Sequence, residues 1–243
     1  MDATSSLHRL RHIDGWERCA HRVGFVWHDL RAPINEVVER QLLAHGPIDA
    51  VIHLAASTHV DRSIDSPLGF IQDNVLGTHH LLELCRRWKA LELVIYFSTD
   101  EIFGPAPAGV EYDEWDRARP GNPYAATKAA GEDLTISYQN TYGVRAIVTH
   151  CMNVLGERQH PEKYLPKVVG HVLRREAVPV HVNPAKTIIG SRVYLSARRV
   201  ARALWFLIER RAEINMGDKF NIVGEREVDN LKLAQLIASH IDR

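Results

Sequence analysis

The feature that most constrains this chain is a regular alternation of short apolar runs with longer stretches of helical periodicity. Arg22–His28, Asp49–Ala55, Leu91–Ser98 and Arg145–Asn153 are apolar, rich in β-branched and aromatic residues, and predict strands. Between them, Pro33–His45, Pro67–Lys89 and Asn122–Tyr142 predict helices. Ile34, Val37, Val38, Leu42 and Leu43 form the apolar stripe of the first, and Phe70, Ile71, Val75, Leu81, Leu82 and Leu84 that of the second. Strand and helix in this rhythm predict an α/β fold, a parallel sheet with helices on both faces. Strands so uniformly apolar are buried on both sides, and ligands of such sheets sit beyond the strands' carboxyl ends. After Asn153 the rhythm loosens. Pro161, Pro166, Pro179 and Pro184 interrupt it, and helices resume near Leu165–Arg175, Ser196–Arg211 and Asn230–His240. The expected division is 1–153 for the sheet domain and 154–243 for a smaller substrate-binding lobe, part of which returns to the core.

Composition narrows the partners. Lys+Arg and Asp+Glu balance at 30 each, so no global field favours nucleic acid or a membrane surface, and an anionic ligand must be held by local groups. The basic clusters Arg86–Lys89 and Arg198–Arg202 have no interleaved aromatics and read as solvated helix faces. Cys19, Cys85 and Cys151 are widely spaced, with no CxxC, which argues against a disulfide framework or zinc site and fits a reducing cytoplasm. The His79–His80 pair has the wrong spacing to share a metal on one helix face, and no metal is expected. No apolar run reaches membrane-spanning length and no signal peptide is seen.

The chemistry-bearing residues lie where strands end. The third predicted strand exits into Ser98-Thr99-Asp100-Glu101-Ile102-Phe103-Gly104. Two adjacent carboxyls beside a hydroxyl can serve as acid and base; alone, such a cluster also reads as a turn or a helix cap. Further on, Asn122-Pro123-Tyr124-Ala125-Ala126-Thr127-Lys128 places Tyr124 and Lys128 four residues apart, on one face of a helix. An ammonium there favours phenolate and is expected to lower the Tyr124 pKa. A bare YxxxK also reads as an amphipathic surface pair; following a strand that ends in Ser-Thr in an α/β chain, it is more specific.

These segments, taken in order, resemble the dTDP-glucose 4,6-dehydratases of the extended short-chain dehydrogenase/reductase family. His53-Leu54-Ala55-Ala56-Ser57-Thr58-His59-Val60-Asp61-Arg62-Ser63-Ile64 is similar to that family's HLAAxSHVDRSI segment. Asn74-Val75-Leu76-Gly77-Thr78 follows, then Ser98–Gly104 like its STDEVYG, and Asn122–Lys128 like its NPYAATK. Asn153, Gln159–Pro166 and Phe220-Asn221-Ile222-Val223-Gly224 resemble its later segments. The resemblance implies a Rossmann-like, doubly wound parallel sheet, truncated at its N-terminal side, with a smaller C-terminal substrate lobe.

It also implies a reaction. In these dehydratases a tightly held NAD takes a hydride from C4 of a nucleotide sugar, water is lost across C5 and C6, and the hydride returns to C6. Carried over, Tyr124 is the base for the 4-hydroxyl proton, Lys128 lowers its pKa and binds the nicotinamide ribose, and Thr99 hydrogen-bonds the 4-hydroxyl. Glu101 abstracts the C5 proton and Asp100 protonates the departing 6-hydroxyl, a division that needs two carboxyls in unequal environments. Asp2 matches the residue that binds the adenosine ribose, and an acid there favours NAD over NADP. Asp29 and Leu30 match adenine contacts, and Leu54, Ala55 and Ala56 the backbone lining the cofactor. Thr58, Asn153, Lys163, Tyr164 and Asn221 match substrate contacts; Lys163 suits a diphosphate. Gly190–Ala197 departs from the family pattern, with Arg192 expected to take the phosphate contact from a shifted position. A homodimer through Pro67–Lys89 and Asn122–Tyr142 is implied by the same likeness.

One family element has no counterpart. The chain opens in register just past the family's second strand, and none of its 15 glycines forms a GxxGxxG loop. Without it the pyrophosphate loses a helix N-terminus and close backbone N–H groups. In the strand order 3-2-1-4-5-6 the two absent strands would leave a gap of roughly 14 Å between the first two strands predicted here. The expectation is therefore a fragment of a longer product, or a sheet that closes up with loss of NAD binding. The alternatives to a dehydratase are an epimerase or decarboxylase of the same family, and a non-catalytic nucleotide-sugar-binding fragment.

Overall fold

A computed structural model describes residues 7–107, 109–180, 182, 185 and 187–241. Its strands are β1 (Ala50–His53), β2 (Leu93–Thr99), β3 (Ala146–Cys151), β4 (Asn153–Leu155), β5 (Ser191–Ser196), β6 (Lys219–Ile222) and β7 (Glu227–Asp229). Its α-helices are α1 (Trp16–Cys19), α2 (Glu36–Leu42), α3 (Val60–Asp65), α4 (Pro67–Phe70), α5 (Gly77–Arg87), α6 (Pro123–Tyr142), α7 (Tyr164–Leu173), α8 (Ala197–Glu209) and α9 (Asn230–Ile241). The chain divides into two compact units, one of residues 26–152 with 200–223, the other of the segment ending at Phe25 with 153–199 and 224–243.

The first unit is built on a parallel sheet in the order β1-β2-β3-β6. The residues of β2 and β3 are almost wholly buried, as their unbroken apolar runs predict. Leu82, Cys85, Leu91, Val94, Tyr138, Val144 and Ala146 form a core cluster joining α5, α6 and the strands. The helix α6 is delimited by its own sequence. Asn122 Oδ1 accepts from Ala125 N at 2.9 Å, Pro123 opens the first turn, and Gly143 closes the helix in the left-handed region at φ 70°. The long predicted helix Pro67–Lys89 is interrupted by a π turn over Ile71–Leu76, a feature often found at functional positions.

Arg22–His28 is not a strand. Only a 3₁₀ turn at Ala20–Arg22 forms there, and Phe25 and Trp27 stand 48% and 55% exposed. A strand needs a neighbour to satisfy its backbone. Among the described residues β1 pairs with β2 alone, and no strand lies along 22–28.

In the second unit β4 pairs parallel with β5, and β5 antiparallel with β7. Tyr164 at the start of α7 donates to Asn230 O, at the start of α9, at 2.8 Å. Arg158 donates to His12 O, tying residues 7–12 into the unit. Among the described residues no helix is long and apolar enough to cross a membrane, and no group of three or more His, Cys, Asp or Glu is arranged to hold a metal ion.

Candidate active site

At the carboxyl end of β2 the chain turns into a 3₁₀ helix at Asp100–Phe103, capped by Thr99 Oγ1, which accepts from Glu101 N at 3.3 Å and donates to Asp100 Oδ1 at 3.2 Å. Gly104 then takes φ 76°, and a Cβ there would stand 2.7 Å from Arg119 O, so this exit requires glycine.

Tyr124 comes to this turn from the first turn of α6. Its N–H donates to Ser63 Oγ at 3.1 Å, and its carbonyl accepts from Thr127 Oγ1 at 2.8 Å. Thr127 in turn accepts from Asn74 Nδ2 at 3.0 Å. Asn74, in the π turn, also clasps Ser57 on both sides: Oδ1 accepts from Ser57 N at 2.8 Å and Nδ2 donates to Ser57 O at 3.0 Å. One buried amide thus fixes the loop after β1 and the start of α6 together. Ser63, Asn74 and Thr127 were not among the expected site residues, although each lies within a segment that resembles the family.

Tyr124 and Lys128 are both buried, so neither belongs to a surface pair. The Tyr124 pKa is raised, contrary to the expected lowering. Burial is the main cause, the Glu101, Asp100 and Cys151 groups add to it, and a hydrogen bond with Thr99 works the other way. Lys128 Nζ donates to Phe97 O at 2.7 Å and lies 4.3 Å over the Tyr96 ring. Burial lowers its pKa to about 7, with Glu132 opposing.

Of the expected cofactor contacts, Leu54 and Ala55 emerge exposed after β1, with Ala56 half-buried. Asp29 forms a two-pronged pair with Arg31, Nη2 to Oδ2 at 2.6 Å and Nε to Oδ1 at 3.0 Å; that hydrogen bonding holds its carboxyl down to about 2. Leu30 O accepts from His80 Nδ1 at 2.7 Å, which docks the 29–32 turn on α5. Asp2 lies outside the described residues. Ser98 Oγ is buried at the end of β2 with no partner among the described residues. These residues fit the nicotinamide-ribose and adenine ends of a dinucleotide. A glycine-rich turn for its pyrophosphate has no counterpart in the sequence.

Thr58 is exposed in the loop after β1. The Asn221 amide is held within its own unit, Oδ1 against His150 Nδ1 at 3.0 Å and Nδ2 donating to Tyr112 O at 3.3 Å. Asn153, Lys163, Tyr164 and Arg192 belong to the second unit. Asn153 opens β4, Lys163 caps α7, and Arg192 is exposed on β5, donating to Ser191 O at 2.8 Å.

The site is thus a Thr-Asp-Glu turn at the end of a parallel-sheet strand, with a Tyr-Lys helix packed beside it. Residues 6–223 match the model of the NAD dependent epimerase/dehydratase family, and the chain belongs to that family. It is 38% identical over 190 residues to the dTDP-glucose 4,6-dehydratase of Streptomyces niveus, covering 78% of this chain and 54% of that one. It is 37% identical over 203 residues to the dTDP-D-glucose 4,6-dehydratase of Dictyostelium discoideum, covering 78% and 44%. The chain thus spans about half the length of these relatives. Among solved structures, DesIV, a dTDP-glucose 4,6-dehydratase from Streptomyces venezuelae with NAD bound, superposes with a TM-score of 0.77 at 29% identity, over 88% of this chain and 62% of that one.

Proposed function

We propose that this chain carries the catalytic residues of an NAD-dependent nucleotide-sugar 4,6-dehydratase of the dTDP-glucose class. The observation that carries the reading is the Thr99-Asp100-Glu101 turn set against the Tyr124 phenol, with both carboxyls acting on it. An epimerase needs only removal and return of a hydride at C4. A 4,6-dehydratase also needs a base for the C5 proton and an acid for the 6-hydroxyl, and two adjacent carboxyls supply both.

In this reading residues 26–152 with 200–223 are the cofactor half, and the other unit is the substrate lobe. NAD, when bound, supplies the acceptor and later the donor of the hydride. Lys128 and Tyr124 would hold its nicotinamide ribose, Leu54–Ala56 would line it, and Asp29 and Leu30 would meet its adenine. Thr99 orients the sugar's 4-hydroxyl and Tyr124 takes its proton. Glu101 takes the C5 proton and Asp100 gives one to the departing 6-hydroxyl. Thr58, Asn153, Lys163, Tyr164 and Arg192 bind the nucleotide sugar, with Lys163 and Arg192 toward the diphosphate. Asn221, expected at the substrate, is instead taken up by His150, Tyr112 and Glu114 and braces the segment at 112–114. Cytoplasmic location and a homodimer through α5 and α6 complete the proposal.

The test is incubation of the purified protein with NAD and dTDP-glucose in D2O, followed by NMR of the sugar. A 4-keto-6-deoxy product with deuterium at C5 supports the dehydratase. A sugar inverted at C4 with its 6-hydroxyl intact would make it an epimerase. Failure to bind NAD at all would make it a non-catalytic piece of a longer enzyme.

A further inference from the structure

Beneath the Tyr-Lys pair lies a second cluster of buried ionisable groups that the reaction scheme above does not use. Glu132 stands one turn beyond Lys128 on the same face of α6 and is 3% exposed. Its Oε2 is 3.1 Å from Nε2 of His150 on β3, and its Oε1 accepts from Nζ of Lys219 on β6 at 2.6 Å. His150 is 1% exposed, and its other ring nitrogen meets Asn221 Oδ1. Lys219 Nζ also lies 4.7 Å over the Trp115 ring. Both oxygens of Glu132 are therefore fixed, from two strands and in one orientation.

A carboxylate placed so deep needs a reason beyond joining strands to a helix, because an apolar residue would do that at lower desolvation cost. Lys128 supplies the reason. Lys128 is 4% exposed, and among the described residues its ammonium meets only a carbonyl, Phe97 O, and a ring face, Tyr96. The ionisable groups around it are His53 from β1, Tyr96 from β2, and Tyr124 and Glu132 along α6. Asp100, Glu101 and Cys151 act on Tyr124, and Asp73 of the π turn is held by Ser57 Oγ at 2.6 Å. His53 is neutral in this setting, so among these groups Glu132 is the anion available to Lys128. Burial raises the Glu132 carboxyl, but the hydrogen bonds and charges of His150 and Lys219 outweigh it and keep it ionised.

We propose that Glu132 is a positioning residue, the buried counter-charge, clamped by His150 and Lys219, that keeps Lys128 an ammonium against Phe97 O and the Tyr96 ring. It rests on the dehydratase reading only in giving that charge a use, since a neutral amine does not favour the Tyr124 phenolate.

The test needs neither cofactor nor substrate. The full chain is labelled with lysine carrying 13C at Cε, the Lys128 resonance is assigned with Lys128→Met, and its shift is followed with pH. Glu132→Gln, of the same shape without the charge, should lower the Lys128 midpoint by about one pH unit, a tenfold change in ionisation. Glu132→Asp should restore part of it. An unchanged midpoint in a folded Glu132→Gln protein would overturn the proposal and leave Glu132 a structural tie. The double variant Glu132→Met with Lys219→Met, which removes the buried pair without stranding either charge, provides the second arm if Glu132→Gln does not fold. Its Lys128 midpoint should also fall, and an unchanged midpoint overturns the proposal equally. A dehydratase assay that fails while the Lys128 midpoint moves as stated would sink the functional reading alone.

Discussion

Gly131 and Tyr96 approach so closely that a Cβ at position 131 would stand 2.3 Å from the Tyr96 hydroxyl oxygen. That hydroxyl donates to Lys128 O at 3.1 Å, and the ring beneath it carries the Lys128 ammonium. The glycine is therefore the gap through which β2 and α6 share the lysine. Gly131→Ala should cost roughly 1–3 kcal/mol in urea unfolding, as overpacking does. Tyr96→Phe removes the oxygen that the new methyl meets. The double variant should recover only part of the loss, because the ring Cζ would still stand 2.8 Å from the new methyl; purely additive costs would show that the conflict lies elsewhere.

Acid should act on the fold through His53. Its Nε2 is 2.9 Å from Thr78 Oγ1, and burial, aided by the Lys128 charge, lowers its pKa from 6.5 to about 3. Between those values the unfolded chain binds a proton that the folded chain refuses. Stability present above pH 6.5 is lost as pH falls, at up to about 1.4 kcal/mol per pH unit from this one group. His53→Gln keeps a polar partner for Thr78 and removes the titration. Its stability should fall less steeply between pH 6.5 and 4.5 than that of the parent protein. Equal slopes would assign the acid sensitivity to other groups.

The three cysteines should separate by burial. Cys85 and Cys151 are buried, and burial pushes both thiols up to about 12, so little thiolate exists near neutrality. Cys19 is half-buried, with Sγ 3.3 Å from Trp16 O. A disulfide reagent at pH 8 should titrate one thiol rapidly in the native protein and three in guanidinium. Rapid reaction of Cys151, read by peptide mapping, would mean that the strand end beneath Asp100 opens.

What the sequence disclosed follows from which forces act locally. The strands β2 and β3 were legible because burial on both faces leaves an unbroken apolar run, and α6 because Asn122, Pro123 and Gly143 mark its ends. The same apolar signal misled at Arg22–His28, where Val23, Phe25 and Trp27 satisfy the pattern but no neighbouring strand lies among the described residues. Thr99, Asp100, Glu101, Tyr124 and Lys128 could be picked out by residue type and spacing. The direction of the Tyr124 shift could not, because it depends on burial and on where the Lys128 ammonium points. Glu132, His150 and Lys219 come from three elements far apart in the chain, and only the parallel register of β3 with β6 brings them together.

Asn74 offers the sharpest separation between a structural polar group and a decorative one. Its amide makes three hydrogen bonds in a site 1% exposed, two to the Ser57 backbone and one to Thr127 Oγ1. Asn74→Ala would leave the N–H and C=O of half-buried Ser57 without these partners. Each such group costs about 1–3 kcal/mol, so the variant should lose on the order of 2–4 kcal/mol, with the loop after β1 gaining amide exchange. Ser57→Ala touches the same residue but removes only the hydroxyl that donates to Asp73 at 2.6 Å, in a partly exposed position. It keeps the backbone clasp and should cost about 1 kcal/mol or less. Because Thr127 also bonds Tyr124 O, Asn74→Ala should lower turnover beyond its stability loss, whereas Ser57→Ala should not. If the two substitutions prove equally costly, the clasp on the Ser57 backbone is not what holds this loop.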